Sequence, residues 1–246
     1  MSKFDVIDFE NFTYTRYYQL LKIALRKYSF CSFKDFIEGE KFILWRHDMD
    51  LSVYSGLQLA KIENELGVKS TYFVHLHNNF YHFWEKENVN IIKEIIDLGH
   101  HLGLHFDANF YGNMKNIEIL LANEKRILEQ AFNVPVEVFS FHNPDSMILK
   151  LDDYKYADMI NTYSKFFRDK VDYISDSNGY WRYKKLEDVL LSSDSKPLQV
   201  LTHPGWWSEK PMSPRDKITY HIEQRAKKQH EFYDAVLLKM GRKNVR

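Results

Sequence analysis

Phe42-Ile43-Leu44-Trp45-Arg46-His47-Asp48-Met49-Asp50 is the stretch on which the reading of this chain turns. Phe42 to Trp45 form an apolar run that reads as a buried strand. His47, Asp48 and Asp50 then arrive together where that strand would leave the core. Two close carboxylates in a low dielectric cannot both ionise cheaply. A metal ion, or a proton held between them, would resolve the conflict. The competing reading is an exposed Asp-rich turn, with Asp50 or Ser52 capping the following helix. The stretch alone leaves both open.

Outward from it, strand and helix patterns alternate. Strands are expected over Lys41–His47, Lys69–Leu76, His100–Phe106, Val136–Phe141, Val171–Ser175 and Leu198–Thr202. Helices are expected over residues 11 to 28, Val53–Leu66, Asn88–Leu98, Asn113–Phe132, Lys184–Leu191 and Ser213–Met240, several with apolar residues at helical spacing. Residues 145 to 170 carry no clear period. Regular alternation from Lys41 to Met240 predicts a parallel sheet wrapped by helices, as an open sheet or a barrel. No repeat or linker divides the chain.

Composition narrows the function classes. Lys plus Arg equals Asp plus Glu at 34 each, so no basic stripe marks a nucleic-acid binder. One cysteine, Cys31, excludes an internal disulfide and a thiolate metal cluster. The N-terminus lacks a signal-peptide pattern and no apolar run reaches membrane-spanning length, so a soluble cytoplasmic protein is expected.

The polar residues collect at strand ends. His47, Asp48 and Asp50 follow the first strand, His75 and His77 the second, His105 and Asp107 the third, His142 the fourth, Asp176 the fifth and His203 the last. In parallel α/β folds all C-terminal strand ends share one face, where active sites sit. One histidine at a strand end is usually structural; several on one rim with paired aspartates point to a site. Carboxylate plus imidazole suits zinc and other divalent ions. His100 and His101 adjoin a strand start and are expected to be a surface pair. His75 and His77 are expected to share a face of their strand. Arg46 reads as a simple charge partner of the acids.

The motifs in order resemble the polysaccharide deacetylases, metal-dependent carbohydrate esterases on a distorted (β/α)7 barrel. Asp48 and Asp50 are similar to that family's aspartate pair, in Asp-x-Asp spacing. Gly99-His100-His101-Leu102-Gly103-Leu104-His105 resembles its second motif, with His105 on the first metal histidine. Phe139 to Pro144 stands where the family has Arg-x-Pro; Asp176 to Trp181 resembles the fourth motif; Leu201-Thr202-His203 matches Leu-x-His. The resemblance covers about residues 40 to 210. It implies one barrel domain over residues 41–246, preceded by an N-terminal helical extension over residues 1–40. It implies Asp48 as base, His203 as general acid, and a divalent metal, zinc first, on Asp50 and His105. Two departures stand out: Asn109 occupies the place of the second metal histidine, and His142 replaces the third-motif arginine. His142 supplying the missing imidazole explains both. His75, Asn109, Asp176, Trp181 and Trp206 are the expected substrate contacts.

The function expected from that resemblance is removal of an N-acyl group, N-acetyl first, from a sugar or sugar-containing precursor in surface polysaccharide biosynthesis. The substrate is a small molecule or oligosaccharide; neither a nucleic acid nor a membrane span is expected. Two alternatives remain: a degenerate barrel that only binds carbohydrate or acts as a scaffold, and a hydrolase of a non-sugar amide.

Overall fold

The computed structural model describes residues 9–112, 114–181, 183–193 and 196–245. Its frame is seven parallel strands: β2 (Phe42–Asp48), β3 (Thr71–Val74), β4 (His101–Phe106), β5 (Val138–Phe141), β7 (Met159–Asn161), β8 (Asp172–Ser175) and β9 (Leu198–Thr202). Two short strands decorate it. β1 (Ser29–Phe30) pairs in parallel with β2, and β6 (Lys155–Tyr156) pairs antiparallel with β7. The sheet order is β6-β7-β5-β4-β3-β2-β9-β8, so β2 lies between β3 and the last strand, β9. Chain order returning beside its own start is the signature of a curled sheet. This is a distorted (β/α)7 barrel, as expected. β6 occupies the edge of β7 that β8 would need, and among the described residues the ring stays open between β7 and β8.

Among the described residues eight α-helices accompany the strands: α1 (Tyr14–Leu25), α2 (Val53–Glu65), α3 (Lys86–Asp97), α4 (Ala108–Tyr111), α5 (Ile117–Phe132), α6 (Lys165–Lys170), α7 (Leu186–Leu191) and α8 (Pro214–Lys239). Ser52 starts α2, its hydroxyl accepting from the Ser55 N–H. The helix expected from Asn113 begins only at Ile117, because Gly112 turns left-handed after α4; Asn113 itself lies outside the described residues. Residues 145 to 170, without a readable period, hold β6, β7 and α6. No helix among the described residues is long and apolar enough to cross a membrane.

Strand alternation sorts side chains to the two faces of the sheet. Outward residues pack beneath the helices. Ile43 and Trp45 meet Tyr17, Leu20 and Leu21 of α1; Tyr72, Leu102 and Leu104 join a cluster with Ile92 and Leu121. Inward residues form layers. Phe42, Leu44, Phe73, Val138 and Ile160 make an apolar plug, completed by Phe33 from the N-terminal segment. Above the plug the interior turns polar, first at Arg46, then Asp48, then the rim histidines.

One outward position is also polar. His47 bridges Thr202 Oγ1 and Glu63 Oε1 at 2.7 Å each. The buried Glu63 carboxylate also accepts from the Tyr17 and Tyr72 hydroxyls. This network ties β2 to β9 and α2 at the level where the site begins. His100, expected on the surface, is buried; its Nδ1 accepts from Ser70 N–H at 3.2 Å and its Nε2 meets Ala60 O at 3.0 Å. The strand opens at His101, so His100 packs on the outer face beneath α2 and of the two only His101 is exposed.

The inner layer leaves no spare room at Gly103. A Cβ there would lie 2.6 Å from the Phe73 ring, which is fully buried. Gly103→Ala should therefore destabilise the fold by about 1–3 kcal/mol through overpacking. Urea denaturation checks this; an unchanged midpoint would refute the close-packed account of the plug.

Candidate active site

β2 delivers its polar residues by alternation. Arg46 and Asp48 point inward, and Asp50 follows just past the strand end. Arg46 is fully buried; it donates to Asp48 Oδ2 at 3.0 Å, Tyr163 Oη at 3.2 Å and the Thr162 hydroxyl. Its guanidinium also lies over the rings of Phe73 and Tyr163, at 5.3 and 5.1 Å. Asp48 is buried above it, with Ser140 Oγ at 3.4 Å and His105 Nδ1 at 3.7 Å. Removing one partner of such a buried pair strands the other charge, at a cost of about 3–5 kcal/mol.

His105 and Ser140 are register partners on β4 and β5. Ser140 Oγ lies 2.7 Å from His105 Nδ1, which fixes the ring and turns Nε2 toward the rim. There three atoms converge. His105 Nε2 is 3.0 Å from Asp50 Oδ1 and 3.1 Å from His142 Nδ1, and His142 Nδ1 is 3.5 Å from Asp50 Oδ1. Burial works against the Asp50 charge, but His105, His142 and His203 around it hold the carboxyl well below the usual range. His142 is raised; burial opposes this and Asp50 outweighs it.

These atoms fit a metal ion. Ligands about 2.0–2.1 Å from a tetrahedral zinc lie about 3.3 Å from one another, the spacing seen here. Asp50 Oδ1 is buried without a hydrogen-bond donor that satisfies it. Two ring nitrogens and a carboxylate oxygen cannot hold lone pairs this close without a cation or protons between them. His75 extends the group: one of its ring nitrogens lies within 4.8 Å of ligand atoms of Asp50 and His142. Burial, followed by His105 and His142, pushes the His75 imidazole down to about 3.

Across the site stands His203, whose Nε2 is 3.7 Å from Asp50 Oδ2. Its Nδ1 lies 2.6 Å from Asp176 Oδ1, and its backbone N–H also donates to that carboxylate. Trp207 Nε1 donates to Asp176 Oδ2 at 2.9 Å. Burial opposes protonation of His203, but Asp176 outweighs it and raises the imidazole to about 9. The arrangement presents a charged proton donor opposite a cluster of metal-ligating atoms.

The expected residues separate into groups. Asp48, Asp50, His105, His142 and His203 come together, with His75 at their edge. Asp176, expected as a substrate contact with orientation of a catalytic partner or a turn cap as alternatives, is fully buried, with both oxygens engaged by His203 and Trp207. It orients His203, because the turn after β8 runs beneath that residue. Asn109 is exposed on α4, its N–H donating to Asp107 Oδ1. Trp181 and Trp206 are half-buried and pack on the cluster that holds Phe12 and Trp207. His77 parts from His75, stacking on Phe110 and reaching Glu124 at 3.1 Å, because β3 ends at Val74 and a turn follows.

Two residues received too little weight from sequence alone. Arg46 pairs with Asp48 as expected, but it does so fully buried, as the interior counter-ion; its place two residues before Asp48, inside an apolar strand, was the available signal. Ser140, between Phe139 and Phe141, was legible only as an inward position. A groove of about 1140 Å³ lies beside the cluster rather than over it, lined by Leu51, Tyr81, Gly205, Lys217, Tyr220 and Arg225 among others.

No protein-family model matches the chain. No curated protein matches it either. Among solved structures it is similar to a CE4 family pseudoenzyme from Bacillus anthracis, at 17% identity and a TM-score of 0.43, over 78% of this chain and 63% of that one. The chain thus spans under two thirds of that protein's length. It is also similar to the peptidoglycan deacetylase PdaC from Bacillus subtilis, at 11% identity and a TM-score of 0.44, over 81% of this chain and 98% of that one. A third similar structure is the Streptococcus pyogenes deacetylase PplD in complex with acetate, at 14% identity and a TM-score of 0.44, over 82% of this chain and 84% of that one.

Proposed function

We propose that this chain is a divergent polysaccharide deacetylase: a metal-dependent hydrolase that removes an N-acyl group, N-acetyl first, from a sugar or sugar-containing precursor. The observation that carries the reading is the convergence of Asp50 Oδ1, His105 Nε2 and His142 Nδ1 within 3.0–3.5 Å, opposite His203. Asp50, His105 and His142 would hold a divalent ion, with zinc the first candidate for a carboxylate–imidazole set lacking thiolates. When bound, such an ion lowers the pKa of water and polarises an acyl carbonyl.

The chain's own residues do the rest. Asp48, its charge balanced by Arg46, takes the proton from the attacking water. The water oxygen bonds to the acyl carbon as the carbonyl takes up negative charge. The amide C–N bond then breaks, and His203 Nε2 gives its proton to the departing nitrogen. An amine and a carboxylic acid result. Asp176 holds the His203 ring and favours its protonated form, a positioning role.

His142→Ala should lower bound zinc well below the wild-type level, whereas Asn109→Ala should retain it. Elemental analysis after dialysis decides this; full zinc in the His142 variant would remove His142 from the ligand set. Acetate release from N-acetylated sugars should stop on chelation and return with added zinc. If neither polymeric nor precursor N-acetyl sugars release acetate, the deacetylase reading fails.

Asp176→Asn should leave the chain folded by circular dichroism yet lower kcat by about 10²-fold or more, with KM little changed. An equal loss expressed wholly in KM would instead place Asp176 in substrate binding.

A further inference from the structure

His75 stands at the edge of the ligand cluster with one ring nitrogen engaged and the other orphaned. The engaged one is Nδ1, 3.3 Å from Asn78 Nδ2. The Asn78 amide has one orientation open to it. Its Oδ1 accepts from the Phe80 and Tyr81 backbone N–H groups at 2.7 and 3.1 Å. Its Nδ2 donates to Asp50 O at 2.8 Å, with Met49 O farther off at 3.4 Å than His75 Nδ1. The amide therefore presents an N–H to His75, and Nδ1 must accept it. In a neutral imidazole the proton then resides on Nε2.

That Nε2–H is buried and has no hydrogen-bond partner among the described residues. The nearest carboxylate oxygen, Asp107 Oδ2, is 3.6 Å away, and Asp107 Oδ1 is occupied at the N-terminus of α4. A buried donor left unmade costs about 1–3 kcal/mol, so it marks a place where an acceptor belongs. The ring centre lies 4.5 Å from that of His142 and 5.6 Å from that of His105. An acceptor held beside the cluster is within the donor's reach.

We propose that His75 Nε2–H is a catalytic hydrogen-bond donor to the acyl oxygen of the substrate, strengthening as that oxygen gains charge. The inference rests on the amide-hydrolase reading above. It assigns His75 to the substrate and not to the metal, since the lone pair a ligand would need is on Nδ1, which Asn78 already occupies. Asn78 is then a positioning residue. It sets the His75 tautomer and, through the Asp50 carbonyl, ties the donor to the chain that carries the cluster.

The test uses the full chain loaded with cobalt(II), with acetohydroxamate as a probe carrying an acyl oxygen. His75→Met removes the donor at similar volume, and His75→Gln returns an amide N–H near the Nε2 position. Both variants should keep wild-type cobalt content. His75→Met should bind acetohydroxamate at least about 10-fold more weakly by cobalt absorption titration, with His75→Gln recovering much of the loss. Imidazole ¹⁵N spectra of the metal-free wild type should show the proton on Nε2 of His75, a readout that needs no variant to fold. Equal probe affinity in His75→Met, or a proton on Nδ1, overturns the proposal. Cobalt loss in His75→Met makes His75 a ligand and overturns it too. Wild-type protein that takes up no cobalt refutes the metal-site reading itself, a result distinguishable from all of these.

Discussion

Asp48 and Asp50 bring two carboxylates into a barrel interior, where an unpaired charge is costly. The surrounding structure is arranged to provide a partner for each. Arg46 rises from the same strand beneath Asp48 and is itself held by Thr162 and Tyr163 from beyond β7. Asp50, one step higher, is ringed by His105, His142 and His203. Because strand neighbours alternate sides, Asp48 and Arg46 must share the inner face once either does, and the turn just past the strand end carries Asp50 to the rim above them.

This charge arrangement gives the site a vertical order. An apolar plug closes the floor, an ion pair forms the next layer, and imidazoles form the rim. The plug and the close contact of Gly103 with Phe73 keep the interior narrow, so the imidazoles of β4 and β5 meet across a few ångströms. On the outer face, His47 and Glu63 hold β2 against β9 at the same height. The level of Asp50 relative to His203 is therefore set from both sides of the sheet.

The rim is asymmetric. One side gathers metal-ligating atoms around Asp50. The other carries a histidine whose proton is held in place by a buried carboxylate, itself clamped by Trp207. Under the deacetylase reading proposed above, an amide between them would meet the metal-holding side and the proton-donating side. His75 and Asn78 add a third direction of approach, from the strand next to β2.

The sequence by itself determined the order of strands and helices, the collection of polar residues at strand ends, and the motif order that carries the family resemblance. Those features are local or follow from chain direction: period, turn chemistry, and the rule that parallel strands end on one face. It also raised His142, just past the end of the neighbouring strand, as a candidate for the imidazole that Asn109 on α4 does not supply. Only the tertiary structure decided which polar groups face each other. Asp176, readable as substrate contact or as support for a catalytic partner, lies against His203; Arg46, expected to pair with the acids, does so fully buried; and His100 moved from surface to core. Each depends on which face of a neighbouring element a side chain meets. That is fixed by register and packing between residues far apart in sequence, and it leaves no mark in local pattern.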